Sequence, residues 1–183
     1  MSAYLLVDGE NIDATLGSSV LNRQPRPDER PRWNQLVDFI AAQWSTEVRP
    51  LFFLNASSGQ LPMSFIQALS AMGYKPVPLR GPAGVKVVDV GIQRTLRALA
   101  DRDDDVVLAS HDGDFAPDVE ALLDGRRRVG LLGFREFVSV ALAQLDTNGL
   151  ELFDLETDAG AFTYALPRLR IIDLDDFDPL DFL

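Results

Sequence analysis

Along this chain, short unbroken apolar runs alternate with stretches in which apolar positions recur every three or four residues. The runs at residues 3–7, 48–54, 75–79, 106–109, 129–132 and 150–153 predict strands, and their lack of in/out alternation predicts strands covered on both faces. Between them, residues 33–44 carry Leu36, Val37, Ile40 and Ala41 at helical spacing. Residues 63–72 carry Phe65, Ile66, Leu69 and Met72, and residues 90–100 carry Ile92, Leu96 and Leu99. Further helices are expected at 115–123 and 137–145. Regular strand–helix alternation predicts a single three-layer α/β/α domain of the Rossmann-like kind, with a mainly parallel sheet and right-handed crossovers.

Two segments break the pattern. Residues 17–32 hold Pro25, Pro27 and Pro31 with four arginines and read as a long loop after the first strand. Residues 171–183 alternate five aspartates with Ile, Leu and Phe, the composition of an acidic-hydrophobic interaction segment that a partner protein recognises. The expected organisation is one domain over residues 1–155, with a C-terminal acidic-hydrophobic extension over 156–183. No run is long and apolar enough to span a membrane, and the first is too short for a signal peptide. With no cysteine in the chain, a reducing, cytoplasmic setting is expected.

Composition narrows the chemistry. With no cysteine and one histidine, thiolate sites, cysteine nucleophiles and paired-histidine metal sites are excluded. A bound metal must sit mainly on oxygens, which favours magnesium, manganese or calcium. The net charge of −11 argues against a passive basic coat for nucleic acid. Without the five tail aspartates the remainder carries −6, and fifteen of the seventeen basic residues are arginine, the side chain suited to bidentate phosphate contact. An arginine-biased composition accounts for that skew equally well. No G-x-x-x-x-G-K-[ST] or G-x-G-x-x-G motif is present, so no nucleotide cofactor is expected.

Ligands of an open parallel sheet bind beyond the strand carboxyl ends, where strand order reverses. Asp8-Gly9-Glu10-Asn11 follows the first predicted strand, and Ser110-His111-Asp112-Gly113-Asp114-Phe115 follows the fourth. Asp89 stands between Val88 and Val90 at the entry of a helix. If the first and fourth strands are neighbours, Asp8, Asp112 and Asp114 converge, and carboxylates packed together call for a cation. The plainer alternatives are turn and helix-capping roles for Asp112 and Asp114, and an ordinary N-terminal charge for Asp89. His111 is expected as a supporting or nucleic-acid contact rather than a metal ligand, or as an exposed turn residue.

These pieces, with Lys86-Val87-Val88-Asp89 and the helix at 65–74, resemble the NYN domain, a branch of the PIN-like metal-dependent nucleases. The resemblance spans about residues 3–153, and Val87 and His111 stand where that family often has glycine. It implies a metal-dependent ribonuclease in which Asp8, Asp89, Asp112 and Asp114 bind Mg²⁺ or Mn²⁺. It further implies that Asn11 positions Asp8, a water or the scissile phosphate, and that Ser110 supports the cluster. Lys86, Arg94, Arg97 and His111 are then expected to meet RNA, with Arg126-Arg127-Arg128 as a further basic patch whose plain alternative is a solvated loop. The alternative from another class is a non-catalytic RNA- or protein-binding regulatory module with the same fold.

Overall fold

The computed structural model describes residues 1–183. Six strands form one sheet: β1 (Ala3–Asp8), β2 (Val48–Asn55), β3 (Lys75–Leu79), β4 (Asp105–Ala109), β5 (Val129–Gly133) and β6 (Glu151–Asp154). Their spatial order is β3-β2-β1-β4-β5-β6 and every pairing is parallel. The helices are α1 (Gly9–Thr15), α2 (Trp33–Trp44), α3 (Met63–Ala71), α4 (Val87–Ala100), α5 (Ala116–Leu122) and α6 (Val140–Ala143). None of them is long and apolar enough to cross a membrane.

The continuous apolar strands have the cause expected of them. Leu5 and Val7 of β1, with Val107 and Ala109 of β4, face one core together with Ile12, Leu36, Ile40 and Leu69 from α1–α3. Leu6, Val106 and Leu108 face the other, against Ile92 and Leu96 of α4, Val119 of α5 and Leu142 of α6. The layers are thus helices, sheet, helices, with a core on each side. At the edge of the sheet, β3 carries prolines at 76 and 78. In the first core Phe52 makes edge-to-face contacts with Trp33, Phe65 and Tyr74 at 5.0, 5.3 and 6.0 Å. Gly9 lies so close to the Phe52 ring that a Cβ would stand 2.3 Å from it, which is why the turn out of β1 needs glycine.

Three boundaries differ from the sequence reading. The stretch expected as a loop over 17–32 begins as helix: α1 runs into a π-helical turn at Leu16–Leu21. Ile12, Leu16 and Val20 are its buried stripe, four residues apart, and Asn22 closes it in a left-handed conformation. Only the proline segment beyond is loop, with a 3₁₀ turn at Pro27–Glu29, and ion pairs Arg23–Glu29 and Arg30–Asp13 tie it down. Helix α4 starts at Val87 rather than at 90, so Asp89 sits inside its first turn. The helix expected over 137–145 is reduced to Val140–Ala143 between two 3₁₀ turns, because Ser139 caps it there.

The packed region also continues past residue 155. Leu155, Ala159, Ala161 and Leu166 belong to the first core, and the Arg32 N–H donates to the Ala161 carbonyl at 2.7 Å. Arg168 then closes the molecule as an ionic knot, meeting Asp154 at 2.6 Å, Glu156 at 3.2 Å, and Glu136. Beyond it the chain is open to solvent, with Leu169, Ile171 and Leu183 almost wholly exposed.

Burial opposes ionisation of Asp154, but the Arg168 guanidinium and the backbone N–H groups of Thr157 and Arg135 outweigh it and hold the carboxyl well below the usual range. Arg168→Met strands a buried carboxylate, so a loss of about 3 kcal/mol is expected at pH 7. A depressed carboxyl supplies stability above the unfolded value of about 3.9 and loses it as the pH falls further. Urea melts of both proteins at neutral and strongly acidic pH check this: the gap between them should narrow in acid.

Candidate metal centre

The order of strands reverses between β1 and β4, and the register Val7↔Ala109 sets the two carboxyl ends side by side. Asp8 is the last residue of β1 and is 3% exposed. The Ser110 hydroxyl donates to its Oδ2 at 2.9 Å, and the Asn11 N–H to its Oδ1 at 3.4 Å, so Asp8 also caps α1. Burial pushes the Asp8 carboxyl up to about 6 against those two hydrogen bonds, and the nearby charges of Asp89 and Asp112 add to the rise.

Beyond β4 the chain turns so that the Asp112 N–H donates to Ser110 Oγ at 3.2 Å and Asp112 Oδ1 accepts from the Asp114 N–H at 2.9 Å. Ser110 thus relays between Asp8 and Asp112. Gly113 is required where this turn meets α6: a Cβ there would lie 2.8 Å from Ser139 Oγ. One carboxylate oxygen each from Asp89, Asp112 and Asp114 fall within 4.8 Å of one another. Asp89 is half-buried and its carboxyl is raised, by burial first and then by Asp112, while Lys86, with Nζ at 3.9 Å, opposes the rise. Asp8, Asp89 and Asp112 line one cleft of about 470 Å³ together with Asn11 and Lys86.

Four aspartates from the sequence reading are therefore neighbours, three as a tight cluster and Asp8 on the wall of the same cleft. As hydrogen-bond caps, Asp8 and Asp112 also do what the plainer alternative expected. Several other residues lie elsewhere than expected. His111, expected as a supporting or nucleic-acid contact or as an exposed turn residue, is buried in the supporting role: its backbone N–H and Nδ1 lie 2.9 Å from Asn11 Oδ1, and Nε2 accepts from the Phe134 N–H at 2.8 Å. The ring stacks on Phe134, and burial lowers its pKa to about 4, so it stays neutral and braces the loop after β4 against β5. Ser110, also wholly buried, cannot meet a substrate and supports the cluster through Asp8 and the Asp112 backbone. Arg97 turns away to Asp118 at 2.7 Å. Arg126, Arg127 and Arg128 are spent on Asp124 and Asp105, so their patch offers no free basic face. Arg94 lines the adjoining cleft.

Two lining residues escaped the sequence reading, Glu10 and Asn55. Asn55 ends β2, beside β1, and the rule that pointed to Asp8 applies to it equally. Glu10 sits inside the Asp8–Asn11 turn and was in view as a motif position only.

The fold is similar to a crystal structure of a protein of unknown function from Vibrio parahaemolyticus, with a TM-score of 0.64 and 23% identity, over 86% of this chain and 94% of that one. At that identity the likeness is one of fold. A comparison with curated proteins finds no match. The family model described as NYN domain matches residues 2–148, which takes in both aspartate turns, Asp89 and the whole sheet up to β5. The chain belongs to the NYN domain family.

Proposed function

We propose that this protein is a metal-dependent ribonuclease that hydrolyses RNA phosphodiester bonds, with Asp8, Asp89, Asp112 and Asp114 holding Mg²⁺ or Mn²⁺. The observation that carries the reading is the meeting of the Asp89, Asp112 and Asp114 oxygens within 4.8 Å, on a cleft walled by Asp8. Asp8, Glu10, Asp89 and Asp112 line the cleft, Asp114 joins their cluster, one ammonium, Lys86, stands nearby, and the donor set is all oxygen, as a hard divalent ion requires. The bound ion supplies Lewis-acid activation of water and compensates charge on the phosphoryl oxygens. The chain's own residues do the positioning. Ser110 Oγ and the Asn11 N–H hold Asp8 in one rotamer. The Asn11 side chain is locked on His111, so its part is to fix the loop and the mouth of the cleft rather than to move a proton. Lys86 stands free to donate to a phosphate oxygen beside Asp89, and Arg94 to one further along the strand. The family supports RNA as the favoured substrate, and a chain free of cysteine agrees with a place in the cytoplasm.

The net charge of −11 favours a second reading, a non-catalytic binding module of the same fold. The exposed apolar and aspartate side chains of 171–183 support docking of that tail on a partner protein in either case.

Cleavage of a labelled single-stranded RNA in Mn²⁺ separates the two. Asp112→Asn keeps the shape and the acceptor for the Asp114 N–H but removes a ligand charge. The rate should fall by at least about a hundredfold, the upper range for residues that merely support metal ligands. In EDTA the same variant should melt no lower than wild type, because a like-charge repulsion is gone. Unchanged cleavage by Asp112→Asn sinks the site assignment, and wild type that never cuts leaves the binding module.

The cation should also stabilise the native state alone. With free Mn²⁺ about a hundred times above its dissociation constant, linkage adds roughly 2.7 kcal/mol. Thermal melts in Mn²⁺ and EDTA should differ for wild type and coincide for Asp112→Asn.

A further inference from the structure

Twelve of the fifteen arginines have a carboxylate oxygen within 4.0 Å. A thirteenth, Arg32, donates to the Gly160 carbonyl at 2.9 Å. Only Arg80 and Arg94 have neither an acidic partner nor a hydrogen bond, and both line one cleft of about 400 Å³ between the end of β3 and α4. Its apolar wall is Val77, Leu79, Val85 and Val87. Val85 and Val87 also line the acidic cleft, so the two depressions adjoin at the loop that opens α4.

The charge pattern selects the occupant. At the paired arginines an incoming phosphate must displace a carboxylate, whereas at Arg80 and Arg94 it displaces only water. Two planar guanidinium groups at the rim of an aliphatic slot suit an unstacked base, which packs on the apolar wall and under a guanidinium plane while its phosphates accept from the same groups. We propose that this cleft is a subsite for single-stranded nucleic acid, seating one unpaired base on Val77, Leu79 and Val85 with Arg80 and Arg94 on the adjoining phosphates. The inference rests on the reading of the acidic cleft as a nucleic-acid site, and it adds the requirement that the strand be unpaired beside that cleft.

The test measures binding without metal, so that cleavage does not enter. A short labelled oligouridylate, the matching oligothymidylate and a duplex of the same length are titrated with full-length protein in EDTA, read by fluorescence anisotropy. Arg80→Ala/Arg94→Ala should weaken single-strand binding about tenfold and flatten the slope of log affinity against log salt by about 1.4, the share of two phosphates on a single strand. Arg49→Ala/Arg126→Ala removes the same charge from paired, exposed arginines and should change affinity by less than about threefold, since it acts only through screened long-range field. Val85→Glu, at an exposed wall position, should weaken binding without touching either arginine. Both arginines are exposed and unbonded, so the melting temperature of their variant should equal that of wild type.

Binding of either single strand over duplex supports the subsite, and the ratio of the two tells whether the sugar is read. The subsite is overturned if the Arg80/Arg94 variant matches the Arg49/Arg126 control, or if duplex binds as tightly as single strand. It is equally overturned if a peptide of residues 171–183 occupies the cleft and no oligonucleotide binds. Wild type that binds but never cleaves in Mn²⁺ sinks the nuclease and leaves the subsite. Wild type that cleaves, with binding indifferent to Arg80 and Arg94, does the reverse.

Discussion

Val7 and Ala109 lie opposite each other in the central parallel pair, and the chemistry at the top of the sheet follows from that register. It puts the last residue of β1 beside the first residues after β4, so that one hydroxyl, Ser110 Oγ, both donates to Asp8 and accepts from the backbone of Asp112. Slipping the pair by one residue would turn Asp8 into the opposite core and break the relay. Parallel strands cannot be joined by a tight turn, so each must be fed by a crossover helix, and the two chains of helices that result cover both faces. The register and the layering are therefore one constraint: strands apolar enough to be buried on both sides leave their polar residues nowhere to go except the ends.

Repulsion among the carboxylates is tolerated because the surrounding groups are rigid rather than because they neutralise it. Asp8 is held by two donors, yet burial raises it to about 6 with Asp89 and Asp112 adding to the rise, and Asp89 has one ammonium at 3.9 Å. Behind them, neutral His111 ties Asn11 to Phe134, so the turn after β1, the turn after β4 and the top of β5 share one set of hydrogen bonds. A loop that carried such charges without this bracing would relax outward into water. The sequence leaves this histidine open between a supporting role, a nucleic-acid contact and an exposed turn, because a lone histidine between Ser and Asp gives no sign of the buried acceptor and donor that await it.

The legible parts of this chain were those with a period or a repeat of context. Apolar runs located all six strands, Asp8, Asp112 and Asp114 stood out by their place after two of them, and Asp89 by its place at a helix entry. Residues 17–21 were misread because the prolines at 25, 27 and 31 dominated the segment, although Ile12, Leu16 and Val20 carry a helical stripe through its start. The packing of Leu155, Ala159, Ala161 and Leu166 was hidden for a different reason: single apolar residues in an irregular segment have no period, and the Arg168 knot and the hydrogen bonds from Arg32 fix where they dock. The partners of Arg97 and of Arg126–Arg128 were equally invisible, since pairing across elements is a property of the fold and not of the local string.

The prolines of β3 have a consequence of another kind. Pro76 and Pro78 sit opposite Phe52 and Leu54 on the only strand that bounds this side of the sheet. Residues 75, 77 and 79 keep the N–H groups that the ladder to β2 uses, and the alternate positions, which face the open side, have none to give. A second strand arriving at that margin would find carbonyls without matching donors. The sheet is in this way finished chemically at β3, and that margin is closed to the edge-to-edge growth from which fibres form.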